Sequence, residues 1–104
     1  MKGQSSAPAA KAGLELPNAL TLRQNYPNPF NPVTILEYGL PESQRVTVSV
    51  YNALGVEVGQ LFNGRQEAGW HRVAFDGSDL SSGFYVAVLR GSGMVQSKTM
   101  LLAK

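Results

Sequence analysis

The chain of 104 residues has no cysteine, one histidine, one tryptophan and only 15% charged residues. Without cysteine, neither a disulfide framework nor a thiolate metal site can support the fold, so stability must come from packed apolar side chains. A single imidazole confines nucleophile–base chemistry to arrangements built on His71 or on carboxylates alone. Nine Lys and Arg against seven Asp and Glu leave a formal charge of +2 with no run of like sign. That pattern argues against binding a phosphate backbone, and no nucleic-acid partner is expected. The longest unbroken apolar stretch, 84–89, falls far short of the roughly 20 residues a membrane helix needs. The opening Met1-Lys2-Gly3-Gln4-Ser5-Ser6 lacks the apolar core of an export signal. The length accommodates a single core.

What the sequence does have is punctuation: 11 glycines and 6 prolines set among 43% hydrophobic residues. Residues 1–18 are rich in Ala, Gly, Ser and Pro, with Pro8, Gly13 and Pro17 interrupting any helix, and read as a flexible linker. Residues 19–104 read as one β-sandwich domain. Pro27, Pro29 and Pro32 remove three backbone donors within six residues, so 25–32 must be an extended or turning connector. Beyond it, short β-branched and aromatic runs alternate with Gly, Asn, Asp and Ser. Seven strands are expected, at 19–24, 33–40, 45–52, 56–62, 70–75, 84–90 and 94–103.

In 46–51, Val46, Val48 and Val50 share one face while Thr47, Ser49 and Tyr51 share the other, the mark of a strand with one buried side and a firm register. The turn Asn52-Ala53-Leu54-Gly55 ends in a glycine suited to a tight hairpin, and Arg90-Gly91-Ser92-Gly93 repeats the device between the last two strands. Asn63-Gly64 is expected to open a longer connection ending at Gly69, and Asp76-Gly77-Ser78-Asp79 another ending at Gly83. The run 84–89 is apolar on both faces, which predicts a central strand with cover over its outer face. Together these elements predict an all-β, seven-stranded antiparallel sandwich.

Candidate chemistry is sparse. His71 alternates within a strand, and Glu37, Glu42, Glu57, Glu67, Asp76 and Asp79 fall on separate elements with no evident pairing. Asp76-Gly77-Ser78-Asp79 offers too few oxygens for a known calcium loop and suits a turn. Gly91-Ser92-Gly93 lacks the third glycine and the helix of a phosphate cradle. No cofactor and no metal site are expected. The aromatics are needed for the core of so small a domain.

Four segments carry a family resemblance: Tyr26-Pro27-Asn28-Pro29-Phe30-Asn31-Pro32, then 50–58, then Leu80-Ser81-Ser82-Gly83-Phe84-Tyr85, then Lys98-Thr99-Met100-Leu101-Leu102. In this order, ending at the chain terminus, they resemble the type IX secretion C-terminal sorting domain of type A, from about Leu22 to Lys104. The resemblance implies an immunoglobulin-like sandwich that is not an enzyme. It implies the address label of a larger secreted protein of Bacteroidetes and relatives, whose cargo domain precedes it. Implied partners are the outer-membrane translocon with its sorting-domain receptor and a cysteine-protease-like surface sortase. The implied route runs through the periplasm to the cell surface or the medium.

On this reading the recognition residues are Pro27, Asn28, Pro29, Gly83, Tyr85, Lys98, Met100, Leu101, Leu102 and Lys104. Structural roles stand beside these. The prolines can set the angle of the first long strand, Gly83 can permit a turn, and Tyr85 can anchor a corner through its hydroxyl. The terminal strand, if it lies at a sheet edge, can pair with a receptor strand. Cleavage needs exposed, extended backbone, which assigns it to the linker around Ser5, Ala7, Ala10, Gly13 and Leu14. Met1 then marks a start placed within a longer protein. The alternative reading is an immunoglobulin-like adhesion or carbohydrate-binding module of an extracellular enzyme, with exposed aromatics as its binding face. A third, a small hydrolase, requires His71 and a carboxylate to converge in a pocket.

Overall fold

Alternation decides the sheets. In the computed structural model, which describes residues 16–104, Val46, Val48 and Val50 are 2%, 0% and 0% exposed, and the strand that carries them lies inside a sheet. Seven strands form: β1 (Thr21–Leu22), β2 (Val33–Leu40), β3 (Gln44–Asn52), β4 (Glu57–Gln66), β5 (Gly69–Asp76), β6 (Gly83–Arg90) and β7 (Val95–Leu102). One sheet has the order β1-β2-β5 and the other β4-β3-β6-β7, and every neighbouring pair is antiparallel. The inward faces close over a core that includes Leu22, Phe30, Leu36, Tyr38, Leu89 and Met100. The architecture is the expected all-β sandwich.

The tight hairpins follow their turn chemistry. Asn52 accepts the amides of Leu54 and Val56 through Oδ1 at 2.9 and 3.0 Å. Gly55 closes that turn at φ 83°, a conformation that glycine adopts without steric cost. At the second hairpin the amide of Gly91 donates to the carbonyl of Met94 at 3.0 Å. Gln44 reaches across from β3 to accept the Ser92 amide at 2.9 Å.

The connection expected at Asn63-Gly64 does not form there. Asn63 pairs with Thr47 and Gly64 with Val46, and β4 continues to Gln66, so only Glu67 and Ala68 link it to β5. Cross-strand pairing with β3 overrides the local turn preference of Asn-Gly. A side chain at Gly64 would stand 3.5 Å from the ring of Phe62, and that ring is partly buried against the core. The first strand is also shorter than expected, its ladder reduced to Thr21 and Leu22. Packing nevertheless starts ahead of it: Pro17 is buried, within the stretch read as linker. A Cβ at Gly39 would lie 2.5 Å from Pro17 and 2.8 Å from Trp70, so only glycine admits that approach.

β6 is central, between β3 and β7. Its outer face is partly covered. Val88 is 8% exposed while Phe84 is 60% exposed. Arg90 lies over the Tyr51 ring, 5.7 Å from its centroid, and donates to the Tyr51 hydroxyl at 3.1 Å.

Candidate functional site

The proline-rich segment has few backbone donors, and the polar side chains among the prolines supply the missing order. Asn25, 2% exposed, donates from Nδ2 to the Pro27 carbonyl and to Thr34 Oγ1, both at 3.0 Å. Thr34, 0% exposed, donates in turn to the same Pro27 carbonyl at 2.8 Å. This closed triangle leaves none of its buried side-chain groups unpaired, and it fixes the turn without a regular ladder. The peptide bonds before Pro27, Pro29 and Pro32 are all cis.

Held this way, the segment lies as a strap along the outer edge of β7. Gln24 donates to the Thr99 carbonyl at 2.8 Å, and the Leu101 amide donates to Asn28 Oδ1 at 3.0 Å. Phe30 donates its amide to the Leu101 carbonyl at 2.9 Å and accepts from the Ala103 amide at 3.0 Å, a parallel bridge centred on Leu102. The Phe30 side chain is 1% exposed and meets Phe75 edge-on at 6.0 Å. The terminal strand is therefore an edge strand whose final residues already have partners. Recognition by strand pairing there would first have to displace the strap.

Other sequence-derived residues gather at the same end. Gly83 has φ 152°, a backbone that L side chains rarely adopt, where the chain enters β6. Tyr85 follows it, and its hydroxyl donates to the Ser81 carbonyl at 2.6 Å, fixing the corner. Lys104 donates its amide to Ser82 Oγ at 3.0 Å and its ammonium to the Ser78 carbonyl at 2.6 Å. Asp76 anchors that turn by accepting the Ser78 amide at 2.9 Å and the Ser78 hydroxyl. These bonds to Ser78 hold the Asp76 carboxyl below the usual carboxylate range, with a smaller contribution from the charge of Lys104.

The terminal motif divides by face. Met100 and Leu102 are both 0% exposed and belong to the core, while Leu101 points outward beside Phe84. Lys98 is half-buried and pairs with Ala87. Pro27, Asn28 and Pro29 are exposed. Ser5, Ala7, Ala10, Gly13 and Leu14 lie outside the described residues. Sequence reasoning missed Gln24, Asn25 and Thr34, which hold the strap in place. The only sequence signal was two amide side chains immediately ahead of a proline cluster.

The features that would serve the rival readings stand apart. His71 donates from Nε2 to the Glu67 carbonyl at 2.8 Å and stacks on Tyr38 at 5.6 Å. Burial pushes the Tyr38 hydroxyl above its ordinary pKa. Glu37 faces Arg23 at 2.8 Å and Arg72 at 3.5 Å. Among the described residues no group of three metal-ligating side chains assembles. The two most exposed aromatics, Tyr26 at 81% and Phe84 at 60%, belong to different sheets and build no common platform.

Compared with known families, residues 24–103 match the model described as the secretion system C-terminal sorting domain. No curated protein matches the sequence. The matched span begins at the strap and ends at the residue that the strap holds.

Proposed function

The chain belongs to the secretion system C-terminal sorting domain family, the C-terminal signal of type IX secretion, and from that premise we propose that the strap and the end of β7 are read together by the sorting-domain receptor. A sorting-signal domain is not a catalytic domain, and this one implies interaction with the type IX machinery and export to the cell surface or beyond. The observation that carries the proposal is the set of hydrogen bonds joining Gln24, Asn28 and Phe30 to Thr99, Leu101 and Ala103. Those bonds fuse the two ends of the family's sequence pattern into one surface.

Beside it, Pro27, Asn28, Pro29, Leu101, Lys98 and Lys104 supply contact groups, Leu101 from the outer face of β7 and Lys98 from its half-buried inner face. Met100, Leu102, Gly83 and Tyr85 act by holding the strand and its corner in place. The domain folds in the periplasm, passes the translocon with its cargo, and is removed by a cysteine-protease-like surface sortase within 5–14. Exposure of Pro27, Asn28 and Pro29 supports the contact role.

The test is a reporter carrying a periplasmic export signal and residues 1–104, expressed in a strain with a working type IX system. The intact fusion should reach the surface or medium. Deleting 98–104 would remove core side chains, so point variants are the cleaner probe. Lys98→Ala with Lys104→Ala should keep the fold and leave the reporter in the periplasm. Export of that double variant at the parent level removes the lysines from the recognition surface. Periplasmic retention of the intact fusion sinks the joint reading altogether.

A further inference from the structure

A sandwich of two open sheets has four edge strands, and an edge strand with unpaired main-chain groups is a template for another strand. Three of the four are shortened, bent or covered over part of their length. β1 has two ladder residues. β4 carries register shifts opposite Val48/Ser49 and Val50/Tyr51, which bend its edge out of line. β7 is strapped over its last residues.

β5 is the fourth, eight residues long and paired with β2 in unbroken register from Gly69 to Asp76. Its outward groups follow from the ladder. Ile35 exchanges both bonds with Tyr26, and Glu37 accepts from Arg23, so the odd residues of β2 face β1 and the even ones face β5. Their partners Phe75, Val73 and His71 therefore point into the sheet. The N–H and C=O of Trp70, Arg72 and Ala74 point away from it. None of these has a backbone partner among the described residues.

The side chains of the same residues select the occupant. Arg72, its side chain 74% exposed, shares the carboxylate of Glu37 with Arg23, and the other carboxylate on this face of β5, Asp76, is engaged by Ser78. Ala74 is exposed and lies opposite Ile35, itself 39% exposed, so the adjoining position is apolar. A second copy of the chain fits poorly. Antiparallel pairing of two β5 edges centred on Arg72 sets two guanidinium groups directly opposite, and a shift of one pairing step leaves them diagonal at about 7–8 Å. The register centred on Ala74 sets Arg72 opposite Asp76, whose carboxylate is already held by the amide and hydroxyl of Ser78.

We propose that the β5 edge is a strand-addition site for an extended segment of another protein, antiparallel to β5, with a carboxylate side chain opposite Arg72 and an apolar side chain opposite Ala74. Main-chain bonds to Trp70, Arg72 and Ala74 supply the attachment, and the Arg72 charge supplies the selection. The site lies on the sheet that does not contain β7, and it does not depend on how the terminal strand is recognised.

The test uses the 15N-labelled chain of 1–104 and two blocked peptides, Ac-Val-Thr-Glu-Thr-Val-NH2 and Ac-Val-Thr-Lys-Thr-Val-NH2. The glutamate peptide should give saturable amide shifts at Trp70, Arg72 and Ala74 at about millimolar concentration, the range of a weak single-strand contact. The lysine peptide should bind about five- to ten-fold more weakly, the discrimination expected when one cross-strand charge pair changes from attraction to repulsion. Arg72→Glu should reverse that preference. Ala74→Pro, which removes an outward donor at an edge that tolerates proline, should abolish saturation while the remaining spectrum stays folded. Equal binding of both peptides, no saturable shift, or shifts centred on Val95 and Ser97 would each overturn the proposal.

Discussion

β4 and β7 are the two edges of one sheet, and they are closed by opposite means. β4 is bent from within: two bulges opposite β3 distort the ladder near the hairpin turn, and they involve only residues of the β3–β4 pair. β7 depends on a segment from the other end of the domain, since Asn28 and Leu101 are 73 residues apart in sequence. A bulge is a permanent property of its strand. A strap is a contact that can be broken, so the order of the end of β7 is tied to that of 24–30.

The largest expected effect separates these two edges. Phe30→Ala empties a site that is 1% exposed against Phe75 and should cost about 3–5 kcal/mol in denaturant unfolding. Amide exchange should rise first at Leu101 and Ala103, while Val46 and Gly64, which face each other in the β3–β4 pair, stay protected. Equal loosening of both edges would show that the strap is not a separate device.

Tyr85→Phe comes next. It removes the donor to the Ser81 carbonyl and should lower stability by about 1–2 kcal/mol, seen as a reduced unfolding midpoint. Asn28→Ala leaves the Leu101 amide without its acceptor. It should cost about 0.5–1.5 kcal/mol, with faster exchange confined to the strapped part of β7. Unchanged exchange at Leu101 would mean that Phe30 alone holds the strand.

The smallest effect concerns the turn beneath Lys104. Because the folded Asp76 carboxyl titrates below its unfolded value, its contribution is present above that unfolded value and is lost as pH falls through the lower folded one. An NMR titration of the Ser78 amide should therefore show a midpoint below the ordinary aspartate range, and Asp76→Asn should erase it. A midpoint at the ordinary value would detach this turn from the terminal corner.

Much of this was legible because it is local. The valines of β3, the Asn52–Gly55 turn and the apolar run of β6 carry their structure within a few residues, but Ser49, on the face of β3 expected to be open, is 2% exposed, because β3 is paired on both sides within the sheet. Asn63-Gly64 misled for the same reason in reverse. Its local turn preference is outweighed by pairing with Val46 and Thr47, which sequence spacing does not reveal. The strap is a harder case. Three prolines announce a connector, but only the folded chain brings Asn28 to the Leu101 amide and Phe30 to Phe75. Likewise the terminal motif Met100-Leu101-Leu102 reads as one apolar unit, although its members face alternately into the core and toward Phe84.

The junction of strap and strand also has a mechanical meaning. A pull on the chain ahead of Pro17 would first meet a ladder that contains only Thr21 and Leu22. Tension then passes to the Asn25–Thr34–Pro27 triangle and, through Asn28 and Phe30, straight to Leu101 and Ala103. The two ends of the domain are coupled in series by these bonds, so a force on the segment ahead of the strap would be passed to the terminal strand.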